Sequence, residues 1–83
     1  MASVEFRAHA LKELEELDPV IGERIVEKIF WLEKNFVLVT PERLHYNFRE
    51  LYKLRVGDYR AVYSLKGEVI TIEKVRHRRE VYK

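Results

Sequence analysis

Hydrophobic and polar residues alternate most regularly between Leu51 and Tyr63, in the stretch LYKLRVGDYRAVY. Alternation with a period of two is typical of β-strands, and Gly57-Asp58 divides the stretch as a two-residue loop with glycine in its first position. The stretch therefore predicts a β-hairpin. The residue pairs that this loop sets opposite each other are Val56 with Tyr59, Leu54 with Ala61, Tyr52 with Tyr63, and Arg55 with Arg60.

The two sides of the predicted hairpin differ in chemical character. Because successive side chains of a strand point to opposite faces, one side carries aliphatic residues and tyrosines, and the other carries Lys53, Arg55, Arg60 and Val62. Like charges directly opposite each other are destabilising, on the scale of roughly 0.2–1 kcal/mol for a cross-strand pair. We therefore expect the basic side to bind an anion. The alternative is a solvated sheet face whose charges discourage edge pairing.

The first half of the chain has the periodicity of two helices after a short strand, Ser3–Phe6. Asp18-Pro19 separates the helices, as an N-cap followed by proline at the first helical position. Helices joined so tightly form an antiparallel pair, and Gly22 marks a close approach between them. The apolar positions are Ala8, Leu11, Leu14 and Leu17 in the first helix, and Ile21, Ile25, Ile29, Leu32 and Phe36 in the second, widened by Val26, Phe30 and Trp31.

The remaining elements complete the predicted fold. Thr40-Pro41-Glu42 predicts the start of one helical turn, Lys66-Gly67 a second tight turn, and Val69–Val75 the last strand. Pairing about the second turn places Arg60 opposite Glu73. The order β-α-α-β-β-β predicts a two-layer α+β fold, in which an antiparallel β-meander plus an N-terminal strand has the antiparallel helical hairpin packed on one face.

The composition narrows the class of protein. We expect residues 1–83 to form a single domain, because a chain of this length has room for one small core. With no cysteine and three scattered histidines, no disulfide, metal site or cofactor is predicted. No apolar run approaches the roughly 18 residues of a membrane span, and no secretory leader is recognised, so we expect a cytoplasmic protein.

The charge is divided unevenly along the chain. Residues 1–48 hold six Lys/Arg against nine Asp/Glu, whereas residues 49–83 hold ten against five. A concentrated basic patch matters more for binding than the net charge of +2. The second half is therefore the candidate surface for a polyanion.

The order of elements, the hairpin LYKLRVGDYRAVY and the ending VRHRREVY resemble the RelE/ParE superfamily of toxins from type II toxin–antitoxin modules. The resemblance covers the whole chain and is most specific from Leu51 to Tyr82. It implies a basic concave surface on the sheet face opposite the helices. For the RelE-like branch it also implies a ribosome-dependent mRNA endoribonuclease, an mRNA interferase that needs no metal and is neutralised by a cognate antitoxin. The ParE-like branch inhibits DNA gyrase instead, and a catalytically inactive RNA-binding member is a further alternative.

The resemblance also implies which residues form the site. Matched to the motifs position by position, the catalytic residues are Lys53, Arg55, Arg60, Arg78 and Tyr82. The residues implied in RNA binding are Arg76, His77 and Arg79. Many relatives have glycine where this chain has Arg76.

Such residues suit RNA cleavage by the 2′-hydroxyl, which needs a base, stabilisation of the phosphorane oxygens and an acid for the leaving oxygen. Arginine keeps its proton, so the arginines are expected to stabilise charge. Lys53 is the candidate base, and Tyr82 or His77 the candidate acid.

Each of these residues has a structural interpretation as well. On that interpretation Arg60 would pair with Glu73, Tyr82 would pack on the sheet, and His77 would be an ordinary surface histidine. Four further aromatic residues are predicted to be in the core or at the helix interface: Tyr52, Tyr59, Tyr63 and Trp31.

The expected partners are the ribosome with its mRNA and the antitoxin. Polar residues do not cover Val37-Leu38-Val39. We expect an acidic, partly disordered antitoxin segment to fold there or along the sheet.

Overall fold

The computed structural model describes residues 2–44 and 50–81. Its helices are α1 (Ala8–Glu15) and α2 (Pro19–Lys34), and a single 3₁₀ turn, Phe36–Leu38, follows them. Its strands are β1 (Ser3–Phe6), β2 (Glu42–Arg43), β3 (Tyr52–Val56), β4 (Tyr59–Lys66) and β5 (Val69–His77). Among the predicted site residues, Tyr82 lies outside the described residues, as do residues 45–49, which precede the hairpin. No helix in the described ranges is long and apolar enough to cross a membrane.

All strands belong to one sheet in the order β1-β5-β4-β3-β2. β1 runs parallel to β5, and every other neighbouring pair is antiparallel. The predicted meander is therefore β3-β4-β5, and both helices pack against the sheet through one shared core. This arrangement confirms the predicted two-layer α+β fold.

The hairpin of β3 and β4 has the predicted register throughout. Gly57 adopts a φ of +58°, which glycine tolerates without the steric cost that a side chain would add. The loop thus has the positive φ at its first central position that suits the twist of a two-residue hairpin. Tyr52 and Tyr63 face each other with ring centroids 5.6 Å apart, and Tyr63 is fully buried, as predicted for a core aromatic.

The second turn lies one residue later than predicted. Lys66 pairs with Val69, so Gly67-Glu68 forms the loop, and Gly67 has a φ of +61°. The loop again begins with glycine, which adopts a positive φ without the steric clash that a side chain would cause.

A β-bulge in β5 then changes the register a second time. Tyr63 pairs with Ile72 but Val62 pairs with Lys74, so that Glu73 is the extra residue. The alternation of hydrophobic and polar residues in the sequence does not predict such a bulge. As a result Arg60 faces Arg76, and the predicted pairing of Arg60 with Glu73 is wrong.

The bulged Glu73 is held by side chains from two other elements. Its carboxylate accepts hydrogen bonds from Ser64 Oγ at 2.7 Å and from Arg7 Nε at 3.1 Å. Burial by itself raises the pKa of Glu73, but these two partners outweigh it and hold the pKa below its ordinary value. The carboxylate therefore fastens the bulge to β4 and to the start of α1.

Helix α2 covers the sheet with the predicted apolar stripe. Ile25, Ile29 and Leu32 are buried, and full burial of a side chain of this size contributes about 1.5–3 kcal/mol. On the sheet their buried neighbours are Leu54, Ala61, Tyr63, Ile70, Ile72 and Val75. The helix begins as predicted, since Asp18 Oδ1 accepts a hydrogen bond from the Val20 N–H at 2.9 Å.

Two aromatic residues of α2 are not in the core. Phe30 and Trp31 were predicted to widen the buried stripe, yet 45% and 44% of their surfaces are exposed. They lie outside the face that meets the sheet, and the Lys28 ammonium rests 3.8 Å from the centroid of the Trp31 ring. At Trp31 a cation–π contact therefore takes the place of the predicted core packing.

The helical turn predicted at Thr40-Pro41-Glu42 is also wrong. Glu42 and Arg43 form the edge strand β2 and pair with Lys53 and Tyr52. Pro41 directly precedes this strand, where its missing N–H removes no hydrogen bond from the ladder.

A small second apolar cluster lies on the sheet face that the helices leave uncovered. Val62 is fully buried there, and Leu44 and Val81 are buried against it, with Leu51 beside them. The end of the described chain thus folds back over β4, so that the basic residues of this face lie next to the second apolar cluster.

The contacts of Glu73 yield a stability prediction. Glu73→Gln should lower the free energy of unfolding at pH 7 by about 1 kcal/mol, because its hydrogen bonds lose their charge assistance. Since the folded-state pKa of Glu73 is depressed, this stabilisation is present above the ordinary pKa of 4.5 and is lost as the pH falls through the folded value.

Chemical denaturation between pH 7 and pH 3 measures the effect. The difference between wild type and Glu73→Gln should shrink towards the acid end. Glu5→Gln, at an exposed position of β1, serves as the control and should change neither stability nor its pH dependence. A constant difference at every pH would contradict the assigned role.

Candidate functional site

The uncovered face of the sheet presents two rows of residues that cross three strands. One row consists of Lys53, Val62 and Lys74, and the other of Arg55, Arg60 and Arg76. We define the basic face as the five cationic residues in these rows. Side chains that alternate along a strand put all five on the side opposite Tyr63 and the helices.

Lys53 and Arg55 share one carboxylate. Arg55 Nε donates to Glu42 Oε1 at 2.9 Å, its Nη2 donates to the second oxygen, and Lys53 Nζ lies 4.0 Å from that second oxygen. The hydrogen bonds from Arg55 chiefly lower the pKa of Glu42, and the charges of Lys53 and Arg60 add to the effect. Edge strand β2 therefore supplies the counter-ion for the β3 side of the face.

Arg60 occupies the centre of its row, between Arg55 and Arg76. Its Nη1 donates to the backbone carbonyls of Gly57 at 3.1 Å and Tyr59 at 2.9 Å. The guanidinium is thereby held over the hairpin loop by neutral acceptors. Its charge stays available to a further anion, because neither bond neutralises it.

Arg76 turns around the edge of β5 towards α1. Its Nε donates to Glu13 Oε2 at 2.7 Å, and its Nη2 lies 3.2 Å from His9 Nε2. Glu13 Oε1 accepts the Val75 N–H at 2.9 Å, beyond the point where β1 ends. Arg76 thus has a structural role, since it helps Glu13 to cap the free edge of the sheet.

Lys74 belongs to the basic face but was not among the predicted site residues. The bulge at Glu73 reverses the side on which later residues of β5 lie, and so turns Lys74 towards Val62. Burial lowers the pKa of Lys74, the charge of Arg76 lowers it further, and Glu13 opposes the shift. The charge excess of the second half of the chain was the one sequence signal that included this residue.

Of the predicted tail residues that the structure describes, His77 lies on the side of the sheet opposite the basic face, and Arg78 and Arg79 follow the end of β5. His77 pairs with Tyr59, which packs against the helix-side core, and their rings meet edge to face with centroids 5.4 Å apart. The backbone N–H of Arg78 donates to the Asp58 carbonyl at 2.8 Å, and that of Arg79 to His77 Nδ1 at 3.2 Å. Both arginine side chains are exposed at the end of the hairpin loop.

The structure therefore brings together Lys53, Arg55 and Arg60 and adds Lys74 to them. Arg76 shares their face by register but binds at its edge, and His77 lies on the other side of the sheet. Among the described residues no group of three or more His, Cys, Asp or Glu side chains could hold a metal ion. Chemically, the face is suited to holding a polyanion with fixed guanidinium and ammonium donors.

The chain matches known toxins in both sequence and structure. The family model for the ParE toxin of the type II toxin–antitoxin system parDE matches residues 4–82. The chain is similar to a solved RelBE2 toxin–antitoxin complex from Mycobacterium tuberculosis, with 26% identity and a TM-score of 0.79 over 92% of this chain and 96% of that one. No curated protein sequence matches it.

Two further solved structures support the fold. The isolated E. coli RelE toxin has 24% identity and a TM-score of 0.75, over 99% of this chain and 92% of that one. The YoeB–YefM complex from Staphylococcus aureus has 20% identity and a TM-score of 0.70, over 93% and 97%. Because the family model spans the hairpin, the basic face and both helices, the chain belongs to the ParE toxin family of type II toxin–antitoxin systems, within the RelE/ParE superfamily.

Proposed function

We propose that this toxin is a metal-independent endoribonuclease that cleaves mRNA on the ribosome in the cytoplasm and so inhibits translation. The observation that supports this proposal is the grouping of Lys53, Arg55 and Arg60 on the sheet face opposite the helices. Arg55 and Arg60 stand directly opposite each other, an arrangement that costs stability unless an anion is bound between them. An RNA phosphate is such an anion.

The side chains divide the chemistry of cleavage between them. The guanidiniums of Arg55 and Arg60 stabilise the negative charge that develops on the phosphorane oxygens, and Arg78 at the hairpin end adds a third. Lys53, in its neutral amine form, receives the proton of the attacking 2′-hydroxyl and becomes the ammonium ion. Tyr82 protonates the leaving 5′-oxygen or stacks on a base. Arg76 at the margin of the face and the exposed Arg79 contribute contacts to the RNA backbone, whereas the predicted RNA contact of His77 would have to form on the other side of the sheet.

A cognate antitoxin is the expected protein partner. Several of the similar structures are toxin–antitoxin complexes. In this chain Val37 and Leu38 expose 84% and 81% of their surfaces in the 3₁₀ turn after α2. An acidic segment that folds on binding would cover this apolar pair and reach the basic face.

Inhibition of DNA gyrase is the second candidate function, and the match to the ParE family model favours it. A toxin directed at a protein has no chemical need for paired guanidiniums on an uncovered face. The two functions therefore differ in whether the basic face is required for toxicity.

The first functional prediction separates these targets. Induction of the toxin should produce cuts within translated mRNAs, detected by primer extension, while chromosomal DNA stays intact, because the basic face suits RNA phosphates. An untranslated copy of the same mRNA is the control and should remain whole. Gyrase-linked DNA breaks in cells whose mRNAs are intact would instead identify the ParE-like activity.

The second prediction concerns the central arginine. Arg60→Ala should reduce cleavage by about 10²–10³-fold, equivalent to roughly 2.7–4 kcal/mol, because it removes a preorganised stabiliser of transition-state charge. The melting temperature should be unchanged or slightly higher, since the substitution relieves repulsion with Arg55 and Arg76.

Single-turnover cleavage on programmed ribosomes and thermal unfolding together measure this result. Lys66→Ala, at the exposed end of β4, is the matched control for loss of one positive charge. Full cleavage by Arg60→Ala would refute the assignment of Arg60 as a phosphate-binding residue.

The third prediction concerns the role of Tyr82. Tyr82→Phe keeps the ring and deletes the hydroxyl, so it should slow single-turnover cleavage with little effect on ribosome affinity if the hydroxyl is the acid. A nearly silent Tyr82→Phe combined with a damaging Tyr82→Ala would assign the ring to base stacking instead.

A further inference from the structure

We propose that Lys74 is an RNA-contacting residue of the basic face, where its ammonium binds a backbone phosphate alongside Lys53. This inference rests on the proposed function, because it takes RNA to be the ligand of this face. It goes beyond that proposal in naming a residue that the hairpin motifs do not include.

The position of Lys74 is fixed by the bulge in β5. Lys74 and Lys53 flank Val62 from the two neighbouring strands, each directly opposite it. Since adjacent strands are about 4.7–4.9 Å apart, the two lysine backbones lie about 10 Å from each other. Their long flexible side chains can therefore reach one phosphate or two neighbouring phosphates.

The availability of Lys74 distinguishes it from the other four cations of the basic face. Arg55 and Lys53 are engaged with Glu42, Arg76 with Glu13, and Arg60 with two carbonyl groups. Within the described ranges, no acceptor lies within hydrogen-bonding or ion-pairing distance of the Lys74 ammonium. A phosphate can bind Lys74 without first displacing a protein carboxylate.

The surroundings of Lys74 favour an incoming anion. Lys74 is itself half-buried, beside Val62 in the apolar cluster with Leu44 and Val81, so part of the lysine has already lost its water. Arg76 lies close enough to repel the ammonium, and the two charges together lack a full counter-ion because Glu13 is shared with Arg76. A bound phosphate would relieve this repulsion, and partial burial would strengthen the attraction.

The salt dependence of RNA binding tests the proposal. The probe is a labelled single-stranded oligonucleotide with methylated 2′-hydroxyls, which cannot be cleaved, and binding to the free toxin is followed by fluorescence anisotropy. The slope of log K against log salt is about −0.7 for each phosphate contact with a single strand. Lys74→Met should weaken binding severalfold at low salt and make the slope shallower by about 0.7.

Two matched variants make the result specific. Lys74→Arg keeps the charge and should retain the slope, whereas Lys66→Met, an exposed lysine at the end of β4, should leave both affinity and slope unchanged. Thermal unfolding of Lys74→Met should show no loss of stability, because the substitution removes a partly buried charge.

The outcomes separate this inference from the proposed function. An unchanged slope in Lys74→Met, with a shallower slope in Arg60→Ala, would overturn the role of Lys74 and leave the basic face as the RNA site. Equal losses in Lys74→Met and Lys66→Met would overturn it too, as a non-specific effect of charge. A wild-type toxin that does not bind the oligonucleotide would refute both. Normal binding with the expected Lys74 effect, but no mRNA cleavage, would support Lys74 and refute the endoribonuclease.

Discussion

Burial of one face of the sheet beneath α2 is the constraint on which the rest of this structure depends. Ile25, Ile29 and Leu32 cover the tyrosine-bearing side of the β3–β4 hairpin, and a shift of one residue would turn that side to solvent. The register of the meander is therefore strongly fixed. Because side chains alternate, the same constraint brings Arg55 and Arg60 face to face on the other side.

The accumulation of positive charge on the uncovered face is balanced from its two margins. Glu42, in edge strand β2, binds Lys53 and Arg55, while Glu13, in α1, binds Arg76 at the opposite margin. At the middle of the face, Arg60 donates hydrogen bonds to backbone carbonyls, and its charge also interacts with the carboxylate of Glu42. The hydrogen bonds of Arg60 do not neutralise its charge, so an incoming anion can bind there.

The carboxylate of Glu42 occupies the position on Arg55 at which a phosphate of a bound RNA would be expected. It meets the guanidinium of Arg55 through both oxygens, which is also how arginine binds a phosphate. An RNA phosphate that binds Arg55 therefore has to replace or share this carboxylate. No such exchange is needed at Lys74, and the two ends of the face differ in that respect.

The sequence by itself determined much of this protein, because its strongest patterns are local. Alternation and Gly57-Asp58 predicted the hairpin and its register, Asp18-Pro19 predicted the boundary between the helices, and the family motifs predicted the superfamily. These features depend on residues a few positions apart, whose preferences are not altered by distant contacts. The grouping of Lys53, Arg55 and Arg60 followed from the same register.

Only the tertiary structure decided the features that depend on distant residues. The bulge at Glu73 is stabilised by Ser64 and by Arg7, far away in the chain. It turned Lys74 to the basic face and, together with the later turn at Gly67-Glu68, set Arg76 opposite Arg60. Glu42 lies in a strand instead of a helical turn because it pairs with Lys53 of β3. The exposure of Phe30 and Trp31 likewise depended on how much of the surface of α2 the sheet covers, which helical periodicity does not specify.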